Sequence, residues 1–310
     1  MAKQLENGRL RPETPFVQWK KITVVGVGLL GGSLGLALKQ RKLAKTVVGF
    51  VRREASVEEC ERLGAVDRAT CDLPAAVQDA ELIVLCTPIA QMRPLTEQLL
   101  PALRAGALVT DVGSVKASVV RDLEPLAAKA GAEFVGSHPM AGAEKTGVAA
   151  ARADLFVNAI CVVTPTRKSN KAAVAKIEEF WQSVGGRPLR LTPERHDDLV
   201  SRSSHLPHVV AAELANFVLD PDHPKEQTAL CANGFRDVTR IASGSPEMWR
   251  DIALANRENL SRTLEAFMDD LQEFQRALES GDDEAVAEFF ERAKQRRDEW
   301  AADLGSPSPE

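Results

Sequence analysis

Gly26-Val-Gly28-Leu29-Leu30-Gly31-Gly-Ser33 determines what kind of domain this chain builds. The motif directly follows a β-branched run, Ile22-Thr-Val-Val25, and it opens a segment of helical length. In this strand-turn-helix context the first glycine permits a tight turn, the second lets a pyrophosphate approach the backbone, and the third lets the helix pack close to the sheet. The helix N-terminus would then face the phosphates. The alternative is a glycine-rich turn of structural use only.

Strand-like and helix-like segments alternate as far as residue 191. This alternation predicts an α/β, Rossmann-type domain with a doubly wound parallel sheet. Beyond that point the β-branched runs stop, which predicts an all-α domain. We therefore expect an N-terminal extension over residues 1–20, a dinucleotide-binding domain over 21–191, a helical domain over 192–302 and a disordered tail over 303–310.

The helical half contains one long apolar stripe. Its members are spaced 4, 3, 4, 3 and 4 residues apart, at Leu260, Leu264, Phe267, Leu271, Phe274 and Leu278. This spacing predicts a long helix pressed against another helix. The partner helix belongs either to the same domain or to a second copy of the chain, and both hold if two chains build the domain together.

Composition excludes several classes of partner and mechanism. The chain has 310 residues, and 39 Lys and Arg against 44 Asp and Glu give it a net charge of -5. That balance gives no general attraction to nucleic acid or to an anionic membrane, so we expect neither as a partner. The chain has no tyrosine, which excludes a phenol as the proton donor of a reaction.

Cysteine usage and hydropathy indicate a cytoplasmic protein. The five cysteines are scattered singly without a CxxC pair, which argues against a disulfide framework and against a thiolate zinc site. The first residues are polar, and no segment approaches the roughly 18 apolar residues that a membrane span needs. We expect no signal peptide, no membrane anchor and no metal site.

The end of the second predicted strand bears on the choice of dinucleotide. An acidic residue about 20 positions after the glycines would accept hydrogen bonds from the ribose of NAD. The sequence there is Val51-Arg52-Arg53, and the first acid is Glu54. Val51 cannot accept hydrogen bonds, whereas two guanidinium groups suit a 2′-phosphate. We expect NADP as the cofactor, with NAD as the alternative if Arg52 and Arg53 are only a solvated pair.

Polar residues follow three of the predicted strands. Thr87 and Pro88 follow one strand, Ser114 follows the next, and His138 comes after a third. Ligands of open α/β sheets bind beyond the carboxyl ends of the strands. We expect His138 to project near the nicotinamide, where a histidine can act as a general base. Ser114 is expected to cap the following helix, to bind substrate, or to do both.

Two more polar clusters lie in the helical half. The segment Ser203-Ser204-His205-Leu-Pro207-His208 is typical of a helix start with a serine cap. Its two histidines are a poor zinc set because no paired carboxylate is near. Arg236 and Arg240 stand four apart on one helical face, as a carboxylate clamp or as ordinary surface arginines.

Five motifs occur in a fixed order along the chain. They are Gly26-Val-Gly-Leu-Leu-Gly-Gly-Ser33, Asp111-Val-Gly-Ser-Val-Lys116, Ser137-His-Pro-Met-Ala-Gly-Ala-Glu-Lys145, Ser204-His-Leu-Pro-His208 and Gly234-Phe-Arg-Asp-Val-Thr-Arg240. In these motifs the chain resembles the prephenate/arogenate dehydrogenase family of tyrosine biosynthesis, from about residue 22 to about residue 279. The resemblance implies a nucleotide-binding domain followed by an all-helical dimerisation domain, and hence a homodimer.

The resemblance also implies a reaction and a set of residues. The reaction is the oxidative decarboxylation of prephenate to 4-hydroxyphenylpyruvate with hydride transfer to a nicotinamide; arogenate, or both substrates, is the alternative. His138 is then the catalytic histidine, Ser114 assists it, and Arg240 binds a substrate carboxylate. Further substrate-binding positions are Glu144, Lys145, Ser204, His208 and Asp237. From the glycine motif and the strand ends described above, we expect a cofactor-binding set of Gly26, Gly28, Leu29, Leu30, Gly31, Arg52, Arg53, Thr87 and Pro88. Ala143 departs from the pattern, because relatives often carry a hydroxyl residue there.

Two other functions fit a dinucleotide-binding domain joined to helices. A β-hydroxyacid dehydrogenase would need a lysine in the helical half, but between His196 and Met268 the only lysine is Lys225, in a proline-flanked loop. A non-catalytic dinucleotide sensor would be favoured by the loss of His138 or Arg240, and both are present.

Overall fold

The protein's structure is a computed structural model that describes residues 19–143 and 145–305. The strands are β1 Trp19–Val25, β2 Ala44–Phe50, β3 Arg68–Thr70, β4 Leu82–Leu85, β5 Leu108–Asp111, β6 Glu133–Phe134, β7 Gly136–Pro139, β8 Ile160–Thr164 and β9 Arg187–Arg190. The helices of the first half are α1 Leu29–Gln40, α2 Ala55–Arg62, α3 Leu73–Val77, α4 Ile89–Leu99, α5 Ala117–Lys129 and α6 Lys171–Ser183.

Helices alone follow β9. They are α7 Pro193–Val200, α8 Leu206–Val218, α9 Glu226–Ala229, α10 Asn233–Thr239, α11 Pro246–Ala255, α12 Arg257–Ser280 and α13 Asp283–Gly305. A π-helical turn, Ser201–His205, joins α7 to α8, and a 3₁₀ turn, Arg240–Ser243, follows α10. None of the helices in the described part of the chain is long and apolar enough to span a bilayer.

Six parallel strands form the main sheet in the order β3-β2-β1-β4-β5-β6. Along β4 the apolar residues alternate between the two faces: Leu82 and Val84 join one buried cluster, and Ile83 and Leu85 join the other. Such a strand is apolar throughout because helices cover both faces of the sheet. The architecture confirms the predicted doubly wound α/β domain followed by helices.

A second sheet of three strands places the strand that carries His138. Its order is β7-β8-β9, with β7 antiparallel to β8 and β8 parallel to β9. His138 lies inside β7, paired with Val162, and not in a loop beyond a strand of the main sheet. His138 thus follows β6, as expected, but it lies in a further strand, because the chain turns after β6 and pairs again at once.

The helix start expected at Ser203 is also wrong. The helix is continuous from α7 through the π turn into α8, and the Ser203 hydroxyl donates to the carbonyl of Leu199 at 3.2 Å instead of capping. The wider turn has a physical reason, since Pro207 has no N–H to donate and its ring would press against the carbonyl four residues earlier in a regular α-helix.

The chain forms two compact units, the first ending at Asn256 and the second beginning at Arg257. In the second unit, α12 and α13 are joined by a turn at Gly281 (φ +66°) and pack through Phe274, whose ring centroid lies 4.4 Å from that of Phe289. Helix α12 is the long helix that the apolar stripe predicts.

The ends of the described chain differ slightly from the sequence expectation. β1 begins at Trp19, so residues 19 and 20 belong to the sheet and not to an extension. Helix α13 continues to Gly305, so residues 303–305 of the expected disordered tail are helical. Residues 1–18 and 306–310 lie outside the described residues. The domain boundary at residues 191 and 192, between β9 and α7, stays a prediction.

Candidate active site

The glycine turn between β1 and α1 leaves backbone open where a phosphate could approach. Gly26 has a φ of +97°, in the region that favours glycine. A Cβ on Gly31 would lie 2.0 Å from the carbonyl oxygen of Gly26, so α1 can pack this closely only without a side chain there. A Cβ on Gly28 would meet nothing within 4 Å. The turn thus has the tight bend, the close helix and the free approach that a pyrophosphate needs.

Thr87 lies against this turn at the carboxyl end of β4. Its methyl carbon is 2.8 Å from the place where a Cβ of Gly26 would stand. The Thr87 hydroxyl is buried without a hydrogen-bond partner among the described residues. An orphaned polar group is expected where a ligand completes the hydrogen bonding, so the site fits a dinucleotide. Pro88 follows as the N-cap residue of α4.

The structure has one cavity at the start of α1 and another near the end of β3. One of about 580 Å³ is lined by Leu29 at the start of α1 and by the exposed side chain of Lys145. Leu30 is half-buried on the same turn of α1. The other, of about 390 Å³, lies beside the end of β3 and is lined by Glu54, Val57, Ala69, Thr70, Cys71 and Asp72.

The residues that follow β2 differ sharply in exposure. Val51 is buried, whereas Arg52 and Arg53 are exposed. Their guanidinium groups are therefore open to an anion from solvent.

His138 is buried and is bonded to a second histidine that sequence reasoning missed. Its Nδ1 lies 2.9 Å from Nε2 of His196 on α7, and the Nδ1 of His196 lies 2.8 Å from the carboxylate of Asp197. His196 and Asp197 are both buried. Strand β7 is tied to the end of β5 through Ser137 and Asp111, so His138 is near the carboxyl edge of the main sheet, the edge that also carries the glycine turn.

Hydrogen bonding determines which nitrogen of His138 is free. The carboxylate of Asp197 accepts from the backbone N–H groups of Lys116 (2.7 Å) and Ala117 (2.8 Å), so it is an acceptor toward His196 as well. Neutral His196 therefore carries its proton on Nδ1 and accepts at Nε2. His138 donates to it from Nδ1. The Nε2 lone pair of His138 is left as the base.

Burial lowers the pKa of the four histidines in this region. The pKa of His138 is well below the ordinary 6.5 because burial disfavours the imidazolium, and the electrostatic interactions of His138 with His196, Lys116 and His205 lower the pKa further. Burial likewise lowers the pKa of His196 and His208, and that of His205 to about 4. His138 is therefore in its neutral, proton-accepting form at neutral pH.

Asn256 extends the network from Asp197 to the π turn. Its amide nitrogen donates to the backbone oxygen of Asp197 at 2.9 Å and lies 3.1 Å from Nδ1 of His205. A backbone carbonyl can only accept, so this amide nitrogen is a donor to both groups. His205 consequently holds its proton on Nε2, which is buried without a partner among the described residues.

The π turn and α8 bring His205 and the predicted substrate residue His208 together with Trp249, which the predicted site does not include. The ring of His208 stacks on Trp249 with centroids 3.6 Å apart, and His205 meets the same indole edge-on at 6.3 Å. Nδ1 of His208 donates to the backbone oxygen of Ser204 at 2.9 Å. The aromatic stack could not be found from sequence, since no spacing rule relates α8 to α11.

Ser114 lies between β5 and α5 and is half-buried. Helix α5 begins at Ala117 without a capping side chain from its own segment, so the expected cap function of Ser114 is wrong. Asp197 supplies the cap from α7, because its two carboxylate oxygens accept the first free N–H groups of α5. The carboxylate that orients His196 thus also stabilises the helix N-terminus.

The remaining predicted substrate residues are exposed or lie outside the described residues. Arg240 and Asp237 are exposed, and Arg240 starts the 3₁₀ turn that packs against α8. Lys145 is exposed near Leu29, and Glu144 lies outside the described residues. No group of three or more His, Cys, Asp or Glu side chains in the described ranges could hold a metal ion.

A parallel sheet with an open glycine turn and a buried neutral imidazole define an oxidoreductase of the nicotinamide-dependent dehydrogenase class. Residues 34–189 match the nucleotide-binding domain of prephenate dehydrogenase, and residues 192–292 match its dimerization domain. The chain belongs to the prephenate dehydrogenase family. The family expected from the five motifs is confirmed, and the match to a dimerization domain supports the expected homodimer.

Individual relatives agree with this assignment. Prephenate dehydrogenase of Bacillus subtilis (strain 168) is 35% identical over 282 residues, covering 89% of this chain and 75% of the relative. The crystal structure of prephenate dehydrogenase from Aquifex aeolicus with hydroxyphenyl propionate and NAD+ is 32% identical and has a TM-score of 0.84, covering 90% of this chain and 98% of that one. Synechocystis arogenate dehydrogenase is also 32% identical, with a TM-score of 0.77 and coverage of 90% and 99%.

Proposed function

We propose that this protein oxidises prephenate to 4-hydroxyphenylpyruvate with loss of carbon dioxide, with a nicotinamide cofactor as hydride acceptor. The single observation that carries the proposal is the neutral His138, held by His196 with its Nε2 lone pair free. Membership of the prephenate dehydrogenase family supports it. Arogenate is the second candidate substrate, because an arogenate dehydrogenase is among the structural relatives.

The residues of the chain handle the proton of the substrate hydroxyl. Nε2 of His138 accepts that proton as the carbinol carbon is oxidised, and the resulting imidazolium then donates to the new carbonyl oxygen. His196 and Asp197 stabilise the imidazolium of His138. Its Nδ1–H donates to Nε2 of His196, and the Nδ1–H of His196 in turn donates to the carboxylate of Asp197. A polarised carbonyl acts as the electron sink for loss of the ring carboxylate, and aromatisation drives the step forward. The bound nicotinamide supplies the hydride acceptor.

The other proposed roles concern binding. Arg240 binds a substrate carboxylate, and Ser114 assists His138. Ser204, His208, Asp237, Lys145 and Glu144 complete the substrate site, as the family motifs imply. The orphaned Thr87 hydroxyl and the open backbone at Gly28 support the placement of the pyrophosphate over the glycine turn, with Leu29, Leu30 and Pro88 beside it.

NADP is the proposed cofactor, with NAD as the alternative. Buried Val51 offers no acceptor to a ribose diol, and exposed Arg52 and Arg53 can pair with a 2′-phosphate. Glu54 in the neighbouring cavity is the group that would favour NAD instead. We further propose a cytoplasmic homodimer in which residues 192–302 form the helical substrate and dimerisation domain.

The test is to supply purified protein with prephenate and with arogenate, each with NAD and with NADP, and to follow nicotinamide reduction. The proposal expects the highest kcat/KM for prephenate with NADP. Faster reduction with arogenate would show that arogenate, not prephenate, is the preferred substrate. Faster reduction with NAD would show that NAD, not NADP, is the preferred cofactor. No reduction in any of the combinations would overturn the proposal.

A further inference from the structure

Lys116 is a buried charge that the reaction itself does not use. Its side chain is 0% exposed, and its Nζ bonds to the carboxylate of Asp111 and, at 2.9 Å, to the backbone oxygen of Ser137. Burial lowers its pKa and the Asp111 carboxylate opposes that change. A buried ion pair is rarely the most stabilising choice for a core, because both charges lose their hydration. A role other than stability is therefore expected for this ion pair, which lies beside β7, the strand that carries His138.

The Asp111–Lys116 pair holds every polar atom of the residue before His138. The backbone N–H of Ser137 donates to Asp111 Oδ1 at 3.1 Å, and its hydroxyl donates to the backbone oxygen of Asp111 at 2.7 Å. The same hydroxyl lies 2.8 Å from Thr110 Oγ1. The remaining atom, the Ser137 carbonyl oxygen, belongs to the peptide bond of His138 and accepts from Lys116.

The backbone of Lys116 holds the other end of the catalytic pair. Its N–H donates to Asp197 at 2.7 Å, Asp197 accepts from His196, and His196 accepts from His138. These hydrogen bonds form a closed ring. One end of the ring is the backbone N–H of Lys116, and the other is its Nζ, which reaches His138 through the carbonyl oxygen of Ser137. One residue of the β5–α5 connection is fastened to both β7 and α7.

We propose that Lys116 is a positioning residue that fixes His138 and His196 relative to each other and places a fixed positive charge beside the base. The inference rests on the proposed role of His138. The charged and titratable groups that act on His138 are Lys116 from the β5–α5 connection, His196 from α7 and His205 from the π turn. The carboxylates of Asp197 and Asp111 act on His196. Lys116 repels the imidazolium form, so its charge helps to keep His138 in the accepting state.

The test is to compare wild type with Lys116→Met and with the charge-neutral double variant Asp111→Asn/Lys116→Met. Proton binding to His138 is measured without substrate by NMR of labelled imidazoles, which is practical because the chain has five histidines. His138→Asn assigns the resonance. We expect Lys116→Met to raise the pKa of His138 by about one unit and to lower kcat about 10- to 100-fold with little change in KM for the cofactor.

Lys116→Met alone leaves the buried carboxylate of Asp111 without its partner and could fail to fold. The double variant avoids this problem because it removes both charges. It should fold, show a smaller rise of the His138 pKa and still have a low kcat, because the Ser137 carbonyl has lost its donor. Lys129→Met, which changes an exposed lysine at the end of α5, is the control and should match wild type. A folded double variant with wild-type kcat and wild-type His138 titration would overturn the proposal. Because the titration needs no substrate, it decides the point even if the substrate assignment fails.

Discussion

Nδ1 of His138 lies 2.9 Å from Nε2 of His196, although 58 residues of chain separate them. Asp197, the neighbour of His196, completes the series by accepting from the other nitrogen of His196. The direction of donation along this series leaves Nε2 of His138 unprotonated. A proton acceptor is thereby built from imidazoles in a chain without tyrosine.

Asp197→Asn should disrupt this order of donors and acceptors. An amide NH₂ facing His196 would force the proton of His196 onto Nε2, and His138 would then carry its proton on Nε2 as well. We expect kcat to fall by about 10²- to 10⁴-fold while KM for the cofactor stays near wild type. Steady-state kinetics measure the effect, and circular dichroism checks the fold because α5 also loses part of its cap.

The matched control for that variant is Asp198→Asn. Asp198 is the next residue of α7, and its carboxylate pairs with Arg195 and Arg202 at the surface. Its loss should leave kcat unchanged, since exposed ion pairs contribute little. If Asp197→Asn kept kcat within twofold of wild type, the role assigned to Asp197 would be wrong.

Stability should fall when the solution is made mildly acidic. The folded-state pKa of His138, His196, His205 and His208 is lowered below the ordinary 6.5. The unfolded chain therefore binds more protons than the folded one once the pH drops below 6.5. For His205, whose pKa falls to about 4, the loss between those values amounts to about 3 kcal/mol. Denaturant unfolding at a series of pH values measures it.

His205→Gln isolates the contribution of His205 to the pH dependence of the free energy of unfolding. Glutamine keeps an acceptor for Asn256 but does not titrate, so the free energy of unfolding should vary less between pH 6.5 and pH 4 than in wild type. His223→Gln, at an exposed position, is the control. A His205→Gln protein with the same slope as wild type would contradict the account.

The double variant Arg52→Ala/Arg53→Ala should separate the two cofactors. Removing charge-assisted hydrogen bonds to a 2′-phosphate should raise KM for NADP about 10- to 100-fold, with KM for NAD almost unchanged. Arg62→Ala, an exposed arginine on α2, serves as the control. An equal rise for both cofactors, or no rise for either, would remove the argument for NADP.

Most of this fold can be predicted from the sequence, because its helices and strands follow from local sequence patterns. The glycine motif, the β-branched runs and the apolar stripe each indicate an element whose periodicity is local. The antiparallel pairing of β7 with β8 was missed, since β7 follows β6 after a single residue and nothing local signals a new sheet.

The candidate site is less predictable, because its central contacts join distant segments. His138 and His208 stand in specific motifs, but His196 and Asp197 are ordinary helical residues until α7 packs beside α5. A buried Lys116 could not be predicted either, because a lysine at a helix start is normally solvated. Arg240 and Asp237 stand in a specific motif and are exposed in the described protomer, so their roles in substrate binding stay predictions.

The central claim is that neutral His138 accepts the substrate proton, and the rate of His138→Asn tests it most directly. Asparagine cannot accept a proton at that position, so turnover of prephenate at neutral pH should fall by about 10²- to 10⁴-fold, with the affinity for the nicotinamide cofactor unchanged. The acid limb of kcat/KM in wild type should lie below pH 6.5, since the pKa of His138 is lowered. A His138→Asn protein that turns over prephenate at the wild-type rate would contradict the account.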